Sequence, residues 1–304
     1  MKLIYLLFLL TLATSLRTTA QEVALTFDDA PTFDSPLFTY EQRAAKIRGH
    51  LAEHNVKAAF FVITSSIDET NTKQLKAYTR EGHVLANHSH SHYSPSRVHV
   101  DTYIQDIMKA DSILRTWSDV QPWYRYPYLN EGLSTPKRDS IRSVLKSLNV
   151  ANGYVTVDNY DWFINSALID AARKDYEINY ERLKAFYLDH VYQSLLFYDS
   201  VALKTIGRSP KHVLLLHESD LTALFLGDLI SMLRSKGWKI ISPADAYKDP
   251  IAERVPDVLF NGQGRIGAIA FSLGIPADQL VQPSEDEVWL EEKLTEQKVF
   301  LPKH

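Results

Sequence analysis

Three histidines stand within five positions of the segment "LANHSHSHYSP" (85–95): His88, His90 and His92. The chain of 304 residues holds 11 histidines, so this segment concentrates a residue type that binds metals through its imidazole nitrogens. His88 and His92 are four residues apart, and a helical turn would bring both rings to one metal, whereas His90 would project elsewhere. For this stretch alone, a polar loop is the alternative.

Other residues that could do chemistry follow predicted strands. They are Asp28 and Asp29 after "VALTF", Arg125 and Tyr128 in "PWYRYPY", Asp161 and Trp162 after "YVTV", and His217 at the end of "HVLLLH". Taken alone, each has an ordinary alternative, such as a helix N-cap, a surface ion pair or a core histidine. Because the carboxyl ends of parallel strands share one rim, together they predict a single polar site. One Asp and two His with open coordination positions are typical of a catalytic zinc site.

The elements that must position these residues alternate along the chain. Helical patterns at 44–55, 71–82, 100–117, 140–149 and 224–237 alternate with strand patterns at 23–27, 57–63, 83–88, 150–157, 212–217 and 238–242. This alternation predicts an α/β fold with parallel strands, either a barrel or an open sheet. Apolar residues recur at steps of three and four from Tyr176 to Tyr198, which predicts one long amphipathic helix. We interpret it as an insertion beside the rim, near the substrate groove; core packing, a substrate wall and a dimer contact are the alternatives.

The N-terminal segment predicts secretion. Lys2 precedes an apolar run from Leu3 to about Ala13, and the small residues Thr18 and Ala20 precede Gln21 as in a cleaved signal peptide. The run is short for a membrane span of ~20 residues, although an uncleaved anchor is the alternative. We expect a secreted or periplasmic protein with no membrane span after cleavage. The chain has no Cys, so no disulfide holds it, and a net charge of −4 argues against a nucleic-acid partner.

Five segments resemble the motifs of the polysaccharide deacetylases, the NodB-homology or carbohydrate esterase 4 family. In order, they are "TFDDAP" (26–31), "GHVLANHSHSH" (82–92), "RYPY" (125–128), "DNYDW" (158–162) and "LLLH" (214–217). The resemblance covers about 22–248 and implies a distorted (β/α) barrel that binds a divalent metal and removes N- or O-acetyl groups from a polysaccharide or oligosaccharide. The metal it implies is most often Zn²⁺, although Co²⁺, Mn²⁺, Ni²⁺ or Fe²⁺ also suit such ligands.

The same resemblance implies the metal ligands and the general base. Asp29, His88 and His92 correspond to the ligands. Asp28 corresponds to the base that takes a proton from the attacking water, and Arg125 to the residue that pairs with this base and orients it. His90 falls at a variable position of the family's second motif and has no implied role.

The remaining implied roles belong to the later motifs. His217 corresponds to the general acid that protonates the leaving amine, and Asp161 would hydrogen-bond it, raise its pKa and fix its tautomer. The backbone N–H of Tyr128 would help to stabilise the oxyanion. Trp162 and Leu215 would form the walls of a pocket for the acetyl methyl group.

The expected organisation has three parts. A signal peptide (1–20) precedes a deacetylase domain (21–250) that contains a helical insertion at about 165–207, and a C-terminal extension (251–304) lies beyond the resemblance. The extension contains "GQGRIG" (262–267), but only 37 residues follow it, so a turn into a short helix is preferred to a dinucleotide site. Ala30 replaces the family's glycine, so the backbone at this position should avoid positive φ.

Several functions stay open at this stage. Peptidoglycan, chitin-like chains, poly-N-acetylglucosamine and acetylated xylan are compatible substrates. The alternatives are a hydrolase of small amides or formamides on the same fold and a catalytically inactive carbohydrate-binding protein. The pattern His99-x-Asp101 also occurs in non-haem iron oxygenases, but their sites normally belong to all-β folds. The sequence does not indicate an oligomeric state.

Overall fold

The computed structural model describes residues 20–303, so the predicted signal peptide lies almost entirely outside the described residues. The strands are β1 (Glu22–Ala30), β2 (Ala59–Val62), β3 (Val84–Asn87), β4 (Val120–Tyr124), β5 (Ala151–Asn152), β6 (Glu177–Ile178), β7 (Lys211–His217), β8 (Lys239–Ile240) and β9 (Phe300–Leu301). The helices are α1 (Tyr40–Glu53), α2 (Glu69–Arg80), α3 (Val100–Leu114), α4 (Thr135–Ser147), α5 (Asp161–Arg173), α6 (Tyr180–Ile206), α7 (Asp220–Ser235), α8 (Pro243–Ala246), α9 (Gly264–Ser272) and α10 (Glu287–Glu296). Short 3₁₀ turns occur at Thr64–Ser66, Pro127–Leu129, Pro250–Glu253 and Ala277–Gln279.

A parallel sheet with the order β5-β4-β3-β2-β1-β7 forms the centre of the fold, and β8 pairs with the start of β1. The chain after β5 returns to β7, where Val157 forms a parallel bridge with Leu214. The segment 150–157, predicted as one strand, therefore pairs with β4 near its start and with β7 at its end. This closing contact makes the sheet a distorted barrel, and the predicted fold class is confirmed.

The two faces of β1 have different surroundings because successive side chains of a strand point to opposite sides. Val23, Leu25 and Phe27 are fully buried in the large core shared with α1, α6 and α7. On the opposite face, the Thr26 hydroxyl accepts a hydrogen bond from a guanidinium inside the barrel. Asp28 follows on this inner face, so β1 delivers a carboxylate to the barrel interior at its carboxyl end.

Helix α6 is a core element. Its buried side recurs at helical spacing and includes Leu183, Tyr187, Val191, Leu195 and Tyr198. These residues join the same core as β1 and β7, and no α6 residue borders the cavity around the histidine cluster. The long helix was predicted correctly, but it begins at Tyr180 and its position beside a substrate groove was wrong. Its apolar stripe is wide because helices and sheet cover it along most of its length.

The segment after residue 250 packs against the barrel. Ile266, Ile269 and Ala270 of α9 join a core with Ala24 and Val213, while Leu290 and Leu294 of α10 join the α6 core. Strand β9 pairs antiparallel with β6. The predicted turn at 262–267 leads into α9, as expected. Within residues 20–303, no helix has the length and apolarity needed to cross a membrane.

Gly264 offers a test of how α9 is seated. Its φ is +67°, and an added Cβ would lie 2.7 Å from the Val155 carbonyl oxygen. We expect Gly264→Ala to lower the free energy of unfolding by about 2–4 kcal/mol, because left-handed strain and a backbone clash add together. Gly274→Ala is the matched control, since its φ is +88° but nothing lies within 4 Å, and it should cost only about 1 kcal/mol. Urea unfolding of both variants measures the difference, and equal losses would contradict the clash.

Candidate active site

The donor atoms of three side chains converge at the carboxyl ends of β1 and β3. Asp29 Oδ1 lies 3.4 Å from His88 Nε2 and 3.3 Å from His92 Nε2. Among the residues that the structure describes, this buried Oδ1 atom has no hydrogen-bond partner, and one donor atom from each of the three residues lies within 4.8 Å of the others. His88 Nδ1 contacts the Arg125 carbonyl at 2.9 Å, as the second nitrogen of a metal-binding imidazole commonly does. The three residues therefore fit a divalent metal site.

The electrostatics of this cluster favour the deprotonated forms that bind metals. Burial lowers the pKa of His92 to about 4. Burial alone would raise the pKa of Asp29, but the nearby His88, His217 and His92 lower it overall.

A loop, not a helical turn, brings His88 and His92 together, so that part of the prediction was wrong. Ser89 and His92 both have positive φ, at 71° and 54°. The His92 N–H donates to Ser89 Oγ at 2.9 Å, and the Ser89 N–H donates to Asn87 Oδ1 at 2.7 Å. These local bonds replace helical ones and set the two rings 4.9 Å apart.

His90 points away from the cluster. Its Nδ1 lies 2.9 Å from the Thr64 hydroxyl, and its backbone N–H donates to Asp106 at 2.8 Å. The structure thus separates His90 from the two histidines that flank it.

Asp28 and Asp29 diverge although they are adjacent, because Asp29 has a φ of 68°. Asp28 Oδ1 accepts a hydrogen bond from Arg125 Nη1 at 2.7 Å, and its Oδ2 lies 3.6 Å from His88 Nε2. One carboxylate oxygen is thereby anchored while the other faces the cluster.

Arg125 is fully buried, and contacts with several neighbouring groups fix its orientation. Besides Asp28 it donates to the Thr26 hydroxyl, the Gly153 carbonyl and the Tyr247 hydroxyl at 2.7–3.0 Å. The guanidinium carbon lies 3.9 Å from the centre of the Phe61 ring. Such an arginine has little freedom to move, so it fixes Asp28 in turn.

His217 and Asp161 form a second anchored pair at the carboxyl end of β7, where His217 is the register partner of Asp28 on β1. Asp161 Oδ1 lies 2.7 Å from His217 Nδ1, and its Oδ2 accepts the His217 backbone N–H at 3.0 Å. Burial alone would lower the pKa of His217, but the charge and hydrogen bond of Asp161 outweigh it and raise the pKa to about 10. The pair therefore presents a protonated imidazole to the cavity at neutral pH.

A cavity of about 620 Å³ brings the predicted residues together. Its lining includes Asp28, Asp29, His88, His92, Tyr128, Trp162, Leu215 and His217. Arg125 and Asp161 lie directly behind Asp28 and His217. Tyr128 has a φ of 59° and places its ring 4.8 Å from the His92 ring. Trp162 is half-exposed and Leu215 is buried, so the walls combine one open aromatic face with one closed aliphatic face.

Sequence reasoning missed five residues of this cavity: Leu129, Asp158, Tyr160, Gly262 and Glu287. The sequence does contain a signal for Asp158, because this residue begins the motif "DNYDW" after a predicted strand. Burial raises the pKa of Asp158 to about 7. Gly262 and Glu287 belong to the C-terminal segment, and no motif or spacing in the sequence indicated that this segment reaches the cavity.

A second cavity of about 240 Å³ adjoins the first, and Asp29, Trp162 and His217 border both. Phe33 and Arg173 lie on its walls. The two linings share residues of the proposed site, so the cavities meet beside the histidine cluster.

Comparisons with known proteins point to one family. Residues 15–152 match the family model of the polysaccharide deacetylases, which covers the cluster, Asp28, Arg125 and Tyr128 but ends before Asp161 and His217. A peptidoglycan-N-acetylglucosamine deacetylase of Bacillus cereus is 33% identical over 144 residues, which is 46% of this chain and 46% of that protein. Another of the same name and organism is 27% identical over 128 residues, 41% of this chain and 56% of that one. The chain thus matches about half the length of these relatives.

Solved structures share the fold at low identity. A peptidoglycan deacetylase from Bacillus subtilis gives a TM-score of 0.51 at 21% identity, covering 77% of this chain and 92% of that one. A family 4 pseudoenzyme from Bacillus anthracis gives 0.51 at 18% identity, covering 75% and 65%. The fold is the one that solved polysaccharide deacetylases have. Over residues 15–152, a little under half of its length, the chain resembles the polysaccharide deacetylases of the NodB-homology, carbohydrate esterase 4 type. Since one neighbour is a pseudoenzyme, the fold by itself does not show activity.

Proposed function

We propose that the protein is a metal-dependent deacetylase that hydrolyses acetyl groups, foremost N-acetyl groups, on a polysaccharide such as peptidoglycan, a chitin-like chain or poly-N-acetylglucosamine. The observation that carries this proposal is the convergence of the Asp29–His88–His92 cluster and two anchored pairs, Asp28–Arg125 and His217–Asp161, at one cavity. Zinc is the metal we propose for the cluster. A divalent metal there would supply Lewis acidity toward the acyl oxygen and toward a water molecule.

In this proposal, Asp28 and His217 carry out separate proton transfers. Asp28, with one oxygen held by Arg125, accepts the proton of the attacking water through its other oxygen. The Tyr128 N–H donates to the oxyanion. His217, held protonated by Asp161, donates its proton to the leaving nitrogen. Trp162 and Leu215 enclose the acetyl methyl group.

The two adjoining cavities and the N-terminal sequence support a polymeric substrate outside the cytoplasm. The cavities, of about 620 Å³ and about 240 Å³, meet beside the cluster, so neighbouring sugars of a chain have room next to the one that reacts. The predicted signal peptide supports export to the periplasm or the exterior, where wall and matrix glycans occur.

The decisive experiment measures acetate release from N-acetylated and O-acetylated glycans by metal-stripped protein and again after zinc is restored. Zinc-dependent release from N-acetylated chains supports the proposal. Release from O-acetylated xylan alone would reassign the substrate. No release by folded protein that binds one metal ion per chain would favour a small-amide hydrolase or a carbohydrate-binding protein.

A ligand variant tests the metal site. His92→Ala should lower zinc affinity by at least about 10²-fold and reduce acetate release in parallel, because one of three protein ligands is lost. His90→Ala is the matched control, since its Nδ1 contacts Thr64 and not the cluster. Metal content by mass spectrometry and melting temperature are measured on both. Full metal retention by His92→Ala would show that the site lies elsewhere.

A further inference from the structure

Apart from the candidate active site, the structure has a cavity whose lining is unusually rich in arginine. It has a volume of about 50 Å³ and is bordered by Arg125, Arg142, Arg265, Glu131 and the start of α9. Arg125 is paired with Asp28 at 2.7 Å, and Arg142 with Glu131 at 2.6 Å. Arg265 has no carboxylate partner in residues 20–303, so this cavity carries one uncompensated positive charge.

Arg265 is only 5% exposed, which makes its lack of an anionic partner costly. Its hydrogen bonds leave from Nη1 alone and reach the carbonyls of Ile251, Ala252 and Arg254 at 3.0–3.3 Å. The guanidinium carbon of Arg265 lies 4.5 Å from the centre of the Tyr154 ring, which packs against it. In the described part of the chain, the edge formed by Nε and Nη2 has no hydrogen-bond partner. That edge is the fork with which arginine binds carboxylates in a bidentate manner.

The position of Arg265 near the start of α9 also favours the binding of an anion. It is the second residue of α9, a helix of nine residues, and Gly264 and Ala268 of the same helix also line the cavity. The positive end of the helix dipole therefore lies at the cavity, where it favours negative charge. Burial of Arg265 also lowers its pKa, which is the response expected of a cation without a counter-ion.

We propose that this cavity is a binding site for a small carboxylate, with Arg265 as its principal ligand. The volume of about 50 Å³ holds roughly three to five water-sized groups at ~10–15 Å³ each, a range that includes the size of formate and acetate. The planar fork of Arg265 suits a carboxylate better than a spherical ion. This site is separate from the acetyl pocket, and its existence does not depend on the proposed function.

The test is a thermal-shift titration of the metal-loaded protein with sodium acetate at constant ionic strength, with sodium chloride as the balancing salt. We expect a saturable rise in melting temperature of at least ~2 °C, because a ligand that binds only the folded state stabilises it. Arg265→Gln should lose this rise. Arg254→Gln, which removes an exposed arginine from the neighbouring loop, should keep it.

Comparing these two variants also removes any contribution from acetate bound in the candidate active site, because both retain that site. If Arg265→Gln fails to fold, Ala268→Glu takes its place: a carboxylate one turn along α9 can pair with Arg265 and fill the cavity from within. The Ala268→Glu protein should then show no acetate response. An undiminished rise in either cavity variant would overturn the proposal, and so would a wild-type response to acetate no larger than that to chloride.

Discussion

Asp28→Asn is expected to reduce acetate release by about 10²- to 10⁴-fold while the protein still binds one metal ion per chain. The substitution keeps the shape of the side chain and an oxygen for the Arg125 Nη1 contact of 2.7 Å. It removes the negative charge and the ability to accept a proton. The three proposed metal ligands stay in place, so metal binding and turnover should separate. The measurement pairs acetate release with metal content.

Two further measurements make the Asp28 result specific. Asp101→Asn is the matched control, because the Asp101 side chain is 76% exposed and should leave turnover unchanged. The melting temperature is needed too, since Arg125 loses its ionic partner inside the barrel and breaking a buried pair is destabilising. Assays are therefore run well below the melting transition of each protein. Near-normal turnover by folded Asp28→Asn would refute the proposed base.

His217→Asn is expected to cost a similar factor, about 10²- to 10⁴-fold, because it removes the group that we propose to protonate the leaving nitrogen. His99→Asn serves as its control, since the His99 side chain is 74% exposed. A substrate whose leaving group needs no proton, such as an activated ester, should recover much of the rate that His217→Asn loses. If an activated ester and a glycan amide lose rate equally, the proposed acid role is wrong.

The pH profile provides a finer test of the same pair. Asp161 raises the pKa of His217 to about 10 against the effect of burial. An acid works only while protonated, so activity should persist at lower pH and fall as pH rises through that pKa. Asp161→Asn removes the raising charge, and the alkaline limb of kcat/KM should move to lower pH by more than about one unit. A uniform loss at all pH values, with no movement of the limb, would indicate a purely structural role for Asp161.

The sequence indicated which residues come together at one cavity because its signals are local. Asp28, Asp29 and His217 stand at strand ends, and parallel strands bring such ends to one rim whatever the details of packing. The ordered motifs then assigned expected roles. The route from His88 to His92 was not predictable in the same way, because spacing of four residues suits a helical turn and a loop with positive φ equally well.

Other features depend on long-range packing that a single sequence does not display. The stripe from Leu183 to Tyr198 shows that one face of α6 is buried but not what covers it. Glu287 reaches the cavity only because α10 packs beside α5, and no local pattern signals that contact. Arg265 sits in a segment whose glycine pattern suggested only a turn, and its burial was invisible until the fold placed it.

The C-terminal segment has a consequence for the order in which the molecule can be completed. The hydroxyl of Tyr198 on α6 donates a hydrogen bond to Glu285 Oε1 at 2.8 Å, and α10 covers the core beside it. The motifs that carry the proposed chemistry all leave the ribosome before this segment does. The nascent chain therefore holds every proposed active-site group while part of its apolar core is still uncovered. Glu287 is the last of the cavity-lining residues in the sequence. We therefore expect the ability to bind substrate to appear only late in synthesis, when the C-terminal segment packs against the barrel.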